Sequence, residues 1–80
     1  MDPTFNVSWR QANRNWFVVD EDSGEIHAKV IEDDGTWLAS AFPSLYCRFW
    51  TDVNAKRRVE QELAGATDCT YRFVDARERR

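Results

Sequence analysis

Seven of the chain's fourteen carboxylates fall within residues 20–34: Asp20, Glu21, Asp22 and Glu25, then Glu32, Asp33 and Asp34. Against them stands Lys29 alone, a local net charge of −6. Clustered carboxylates can coordinate a divalent cation, supply a general acid and base, or imitate nucleic-acid phosphate towards a basic partner. Spacing argues against the cation. Asp20, Asp22 and Gly24 share the alternation of a calcium loop, but the glycine is displaced, and Glu25 enters an extended run where a twelve-residue loop would continue. Glu25 and Glu32 cannot share an ion either, since seven extended steps of about 3.3 Å hold them roughly 20 Å or more apart. No metal and no cofactor is expected.

Turn chemistry accounts for Asp22, Asp33 and Asp34, because Asp bonds nearby backbone in turns. It does not require Asp20, Glu21, Glu25 and Glu32. The excess suits docking on a basic protein surface through steering and electrostatic complementarity.

The remaining reactive side chains are few. His27 is the only histidine, and acid–base catalysis would need a partner in a cleft. Its place in an alternating run puts it on a sheet face as a surface or interface residue, so no enzyme activity is expected. Cys47 and Cys69 lack zinc spacing. Cys47 alternates with Leu45 and Phe49 as a small buried hydrophobe, whereas Cys69, after the polar turn "GATD", should be the more accessible thiol and a candidate for an intermolecular disulfide. Lys56, Arg57 and Arg58 are consecutive cations on a helix, offering a nucleic-acid contact, but Glu60 and Glu62 follow on the same helix. A pI near 5.0 and a net charge of −3 also lack the basic footprint that phosphate binding requires.

The elements that position these groups follow from periodicity. "FNVSWR" (5–10) alternates as a half-buried strand, and the polar run 11–15 turns the chain into a second strand, "WFVVD" (16–20). "EDSG" leads to a third strand, 25–32, and Asp34-Gly35 is a strong hairpin signal before a fourth, 36–42. "LYCRFW" (45–50) is extended, a linker or a short edge strand. Residues 51–65 read as a helix with Thr51 as N-cap, Gly65 as stop, and Ala55, Val59, Leu63 and Ala66 on one stripe. Lys56–Glu60 and Arg58–Glu62 are spaced for i,i+4 pairing. "CTYRFVD" (69–75) is a last strand, and the basic tail 76–80 should fray.

The expected fold is therefore a single α+β domain over residues 1–80. It has an antiparallel sheet of about five strands in the order ββββαβ, with one helix packed on one face. Eighty residues with 14% aromatic content suit one thin core. Pairing across Asp34-Gly35 sets Val30 beside Ala39 and Ala28 beside Ala41 under the helix, and pairing across "EDSG" adds Val19 and Phe17 to that face. Trp16, Val18, His27, Lys29, Ile31, Leu38, Ser40 and Phe42 then form the reverse face, too apolar for bare solvent. From it Trp16, Ile31 and Leu38 are the candidate apolar contacts to a partner. A one-residue slip would exchange the two faces. The chain lacks a long apolar run and a secretion signal, so a cytoplasmic protein with no membrane partner is expected.

Taken as a whole, "NWFVVDEDSGEIHAKV", "DDGTWLASAF" and "FWTDVNAKRRVEQELAG" resemble small proteins of phages and other mobile elements, in which a Trp-containing strand and two Gly hairpins precede an "A-K-x-x-V-E" helix. Length, strand order and acidic hairpins most resemble an anti-CRISPR protein, of the type I-C inhibitors. The resemblance implies a non-enzymatic inhibitor in the bacterial host cell that binds a Cas protein of a type I surveillance complex and keeps target DNA from it. Such a family lends no site residues. Two other functions fit the composition: a homodimeric structural or regulatory protein joined through the mixed sheet face and Cys69, and a nucleic-acid binder using Lys56, Arg57 and Arg58.

Overall fold

The computed structural model describes residues 2–41 and 44–74. Its order is β1 (Thr4–Ala12), β2 (Asn15–Asp20), β3 (Ile26–Asp33), β4 (Thr36–Ala41), β5 (Leu45–Phe49), α1 (Asp52–Ala64) and β6 (Thr70–Phe73). The six strands form one sheet in the order β5-β4-β3-β2-β1-β6. The α+β class is as expected, but the sheet has six strands and is mixed, because β6 pairs parallel to β1.

Parity explains the parallel pair. Five strands joined by hairpins leave β5 running in the same direction as β1, and α1 carries the chain back to the starting end, so β6 must run with β1. Taking "LYCRFW" as other than a full strand removes one reversal and predicts an antiparallel edge. β5 supplies that reversal, pairing with β4 from Trp37–Phe49 to Ala41–Leu45.

Two tight turns build the meander. Ala12 pairs with Asn15 around Asn13-Arg14, with Asn13 at φ 58°, so the strands extend well into the polar run expected to be a loop. Asp33 pairs with Thr36 around Asp34-Gly35, whose φ values of 53° and 82° are those of a two-residue hairpin. That turn fixes the β3–β4 register as expected: Ala28 opposite Ala41, Val30 opposite Ala39, Ile31 opposite Leu38.

The β2–β3 register agrees with expectation at Val19, opposite Ile26, and departs from it beyond that pair, where Val18 and not Phe17 lies opposite Ala28. Trp16 pairs with Val30 and Val18 with Ala28, while Val19 pairs with Ile26, so His27 is an extra residue at a bulge. The faces of β2 are therefore exchanged. Val18 is fully buried beneath α1, whereas Phe17 and Val19 lie on the open side with Lys29, Ile31, Leu38 and Ser40. The bulge sends His27 the other way, to the helix side, where it meets Phe5 and Tyr71. Phe42, its expected neighbour, and the tail 76–80 lie outside the described residues.

The core consists of Val7, Val18, Ala28, Val30, Ala39, Ala41 and Leu45 from the sheet against Ala55, Val59 and Leu63 of α1. Alanines on β3 and β4 let the helix sit close, and Phe5, Trp9, Trp16, Trp37, Phe49 and Tyr71 close the margins. Thr51 caps α1 by accepting from the Asn54 N–H at 3.2 Å, satisfying one of the free N–H groups of the first turn. Arg58 pairs with Glu62 at 3.0 Å. Lys56 instead places its ammonium 3.6 Å from the centre of the Trp16 ring, and Glu60 accepts from Trp9 Nε1 at 2.8 Å. Both helix side chains thus reach the sheet rather than each other. No helix among the described residues is long and apolar enough to cross a membrane.

Candidate functional site

The two acidic clumps occupy opposite ends of β3 and have different surroundings. At the β3–β4 end, Asp33 accepts from Arg48 at 3.2 Å, and Arg48 also bonds the Thr36 hydroxyl. Glu32 lies 3.8 Å from Arg14, and its backbone N–H donates to the Asn15 side chain at 2.9 Å. Asp34 is exposed at the tip. Two of the three charges there have a cation beside them.

At the β2–β3 end the carboxylates take separate roles. Asp20 is buried and builds the turn: its Oδ1 accepts from the N–H of Asp22 at 2.8 Å and of Ser23 at 3.3 Å. Its backbone closes the loop through bonds with Glu25 and Gly24, both 2.8 Å. These N–H groups, led by that of Asp22, hold the Asp20 carboxyl below its ordinary value, against the opposing effect of burial. Asp20 is therefore a structural residue, not the surface contact its sequence position implies. Glu21 is also withdrawn, its side chain only 8% exposed, bonded to Ser8 and paired with Arg10 at 2.9 Å. Asp22 and Glu25 stand exposed.

Beside this second end lies a cavity of about 620 Å³ between the sheet and the C-terminal end of α1. Three strands that are distant in sequence furnish its aromatic wall: Phe5 of β1, His27 of β3 and Tyr71 of β6, with ring centres 4.8–5.5 Å apart. Their union depends on two features, the bulge that turns His27 inward and the parallel placement of β6 that sets Tyr71 opposite Phe5. Leu63, Gly65 and Ala66 line the helix side, and Glu62, Asp68 and Cys69 complete the lining with polar groups.

The wall is a connected polar chain as well as an apolar surface. His27 Nδ1 lies 3.0 Å from the Tyr71 hydroxyl, which is also bonded to the Cys69 thiol. Burial, then the Cys69 thiol and the carboxylates of Asp68 and Glu25, push the Tyr71 pKa up to about 12. Tyr71 thus remains a neutral phenol at ordinary pH, in a negative field. The Tyr71 hydroxyl thus engages one imidazole nitrogen of His27 and leaves the other, Nε2, outside this polar chain. That nitrogen is buried and has no hydrogen-bond partner.

Of the sequence-predicted contacts, Glu25 is beside this cavity and Asp22 is in the same turn. Glu32, Asp33 and Asp34 are at the other end, and Ile31 and Leu38 lie half-buried on the open sheet face. Trp16 belongs to the helix side, beneath Lys56. The cysteines reverse their expected exposure: Cys47, on the edge strand β5, is exposed, and Cys69 is half-buried in the cavity lining. The three helix cations are divided, since Lys56 covers Trp16, Arg58 pairs with Glu62, and Arg57 is exposed. Periodicity had no means of finding the cavity; a count of strand reversals, bringing β6 beside β1, was the one available signal. Among the described residues no group of three His, Cys, Asp or Glu stands together in a way that could hold a metal ion.

Comparison with protein-family models, with curated proteins and with solved structures gives no match for this chain.

Proposed function

We propose that the protein is a non-enzymatic inhibitor that acts by docking, its partner a Cas protein of a type I CRISPR surveillance complex. By occupying a basic recognition surface of that complex, it keeps target DNA away. The observation that carries this reading is the gathering of carboxylates beside the cavity at the β2–β3 end of the sheet. Glu62 and Asp68 line the cavity, and the charges of Asp68 and of Glu25, which is in the turn with Asp22, both reach Tyr71. An acidic pole of this kind favours approach to a basic protein surface and repels nucleic acid itself. The resemblance to anti-CRISPR inhibitors supplies the identity of the partner.

The test is capture of a type I surveillance complex on immobilised protein, with DNA binding by that complex as the second readout. Reversing Asp22 and Glu25 to Lys should abolish capture and restore DNA binding. Reversing Asp33 and Asp34 should leave both near wild type. Retention of capture by both variants would refute the acidic-docking reading.

A homodimer is the second reading, favoured by the half-buried Phe17, Val19, Ile31 and Leu38 on the sheet face opposite α1. Light scattering over a concentration series separates it from a monomer.

A further inference from the structure

We propose that the cavity bounded by Phe5, His27 and Tyr71 receives an arginine side chain of the protein partner. This deepens the docking reading above and rests on it. Four features select the occupant. The lining is acidic, with Glu62 and Asp68 and no Lys or Arg among its described residues; Glu25 acts on Tyr71, and the one cation beside the lining, Arg58, is engaged by Glu62, which leaves Asp68. The 13-residue α1 ends here with no basic residue in its last turn to offset the negative end of its dipole, while the Gly65 and Ala66 N–H groups take up the carbonyls of Gln61, Glu62 and Leu63. An anionic or neutral occupant would leave that field unanswered. Aromatic rings form the wall, and a guanidinium stacks on ring faces while its fork meets a carboxylate, which a compact ammonium does less well. The methylenes of the same side chain suit Leu63 and Ala66.

Glu62 is already shared between Arg58 and the Ser44 hydroxyl, which bonds it at 2.8 Å, so Asp68 is the main carboxylate for the incoming fork. His27, whose buried Nε2 has no hydrogen-bond partner, lines the same space. The cavity therefore acts as a specificity-determining pocket within a surface whose acidic charge supplies the attraction.

The probe is N-acetyl-arginine methylamide, followed by amide NMR shifts of the isotope-labelled protein, with the neutral citrulline analogue as control. The arginine probe should give saturable shifts centred on residues 67–71 and His27, with a dissociation constant on the order of 10 mM for so small a ligand. Citrulline should give none. Asp68→Asn should weaken the response about threefold or more, as loss of a partly exposed charge partner would. Thr67→Trp, which fills the mouth without changing charge, should abolish it and also weaken capture of the surveillance complex about tenfold. Equal response to both probes, absence of response, or undiminished capture by Thr67→Trp overturns the inference. Capture lost on reversal of Asp22 and Glu25 but retained in Thr67→Trp removes the pocket and leaves the docking reading. Capture retained in all variants removes both.

Discussion

The two acidic turns look alike in sequence and are built on different principles. Asp34-Gly35 is a minimal hairpin whose geometry is local: two residues with positive φ, strands in register on either side, and flanking carboxylates with arginines beside them. The Asp20–Glu25 turn is longer and is organised by one buried carboxylate, after which β3 carries an extra residue before its register settles. The first turn fixes a pairing. The second also decides which side of β2 faces the core and which way His27 points. Acidic composition is thus a poor guide to acidic surface; what counts is how many carboxylates remain after the fold has used its share.

The comparison is most severely tested through the face of β2. Val18→Asp should prevent folding, because it places a charge at a fully buried position beneath α1, a penalty of several kcal/mol against a marginal total. Val19→Asp, on the open side, should cost no more than about 1 kcal/mol by denaturant unfolding. If the two effects were exchanged, the β2–β3 register would be wrong, and with it the inward place of His27.

A smaller effect is expected from the carboxylate that shapes the longer turn. The folded Asp20 pKa is lowered, so its contribution to stability is fully present above the unfolded value of about 3.9 and is lost as pH falls through the folded value. Asp20→Asn should flatten the stability–pH curve below about pH 4. Asp20→Ala should lower the Tm at pH 7 by on the order of 5 °C, since two N–H groups lose their acceptor. Asp34→Asn should do neither, because its carboxylate is exposed at a turn tip and Asn keeps the tolerance of positive φ that the hairpin needs.

The smallest effect belongs to the matched charges of the shorter turn. Arg48 and Asp33 are each about half exposed, so Arg48→Ala should cost under about 0.5 kcal/mol and lose even that in high salt. A larger loss would mean that this end is organised by its ion pairs rather than by Asp34-Gly35.

These two regions also mark where sequence was sufficient. Alternation and the Asp34-Gly35 signal placed β3 and β4 in their true register, and the Ala55, Val59, Leu63 stripe located the buried face of α1. The same alternation failed at β2, since a bulge at His27 breaks the period of two that face assignment assumes. It failed again at β5, where "LYCRFW" has the composition of a strand but little burial beyond Leu45 and Phe49 to give it a face. That omission changed the parity of the sheet and hid the parallel edge. Of the site, Glu25 and Asp22 were legible as charged turn residues. Phe5, Tyr71 and Asp68 were not, because their meeting depends on where β6 lands, 66 residues after its partner strand begins.

The parallel edge has a consequence for the time course of folding. The β1–β5 meander consists of neighbours in sequence and can assemble hairpin by hairpin, but β6 joins β1 only by closing nearly the whole chain into a loop. The Phe5–His27–Tyr71 wall is then the last part of the molecule to exist. During synthesis the nascent chain holds its acidic turn before it holds the cavity, whose aromatic wall is complete only once β6 has paired with β1.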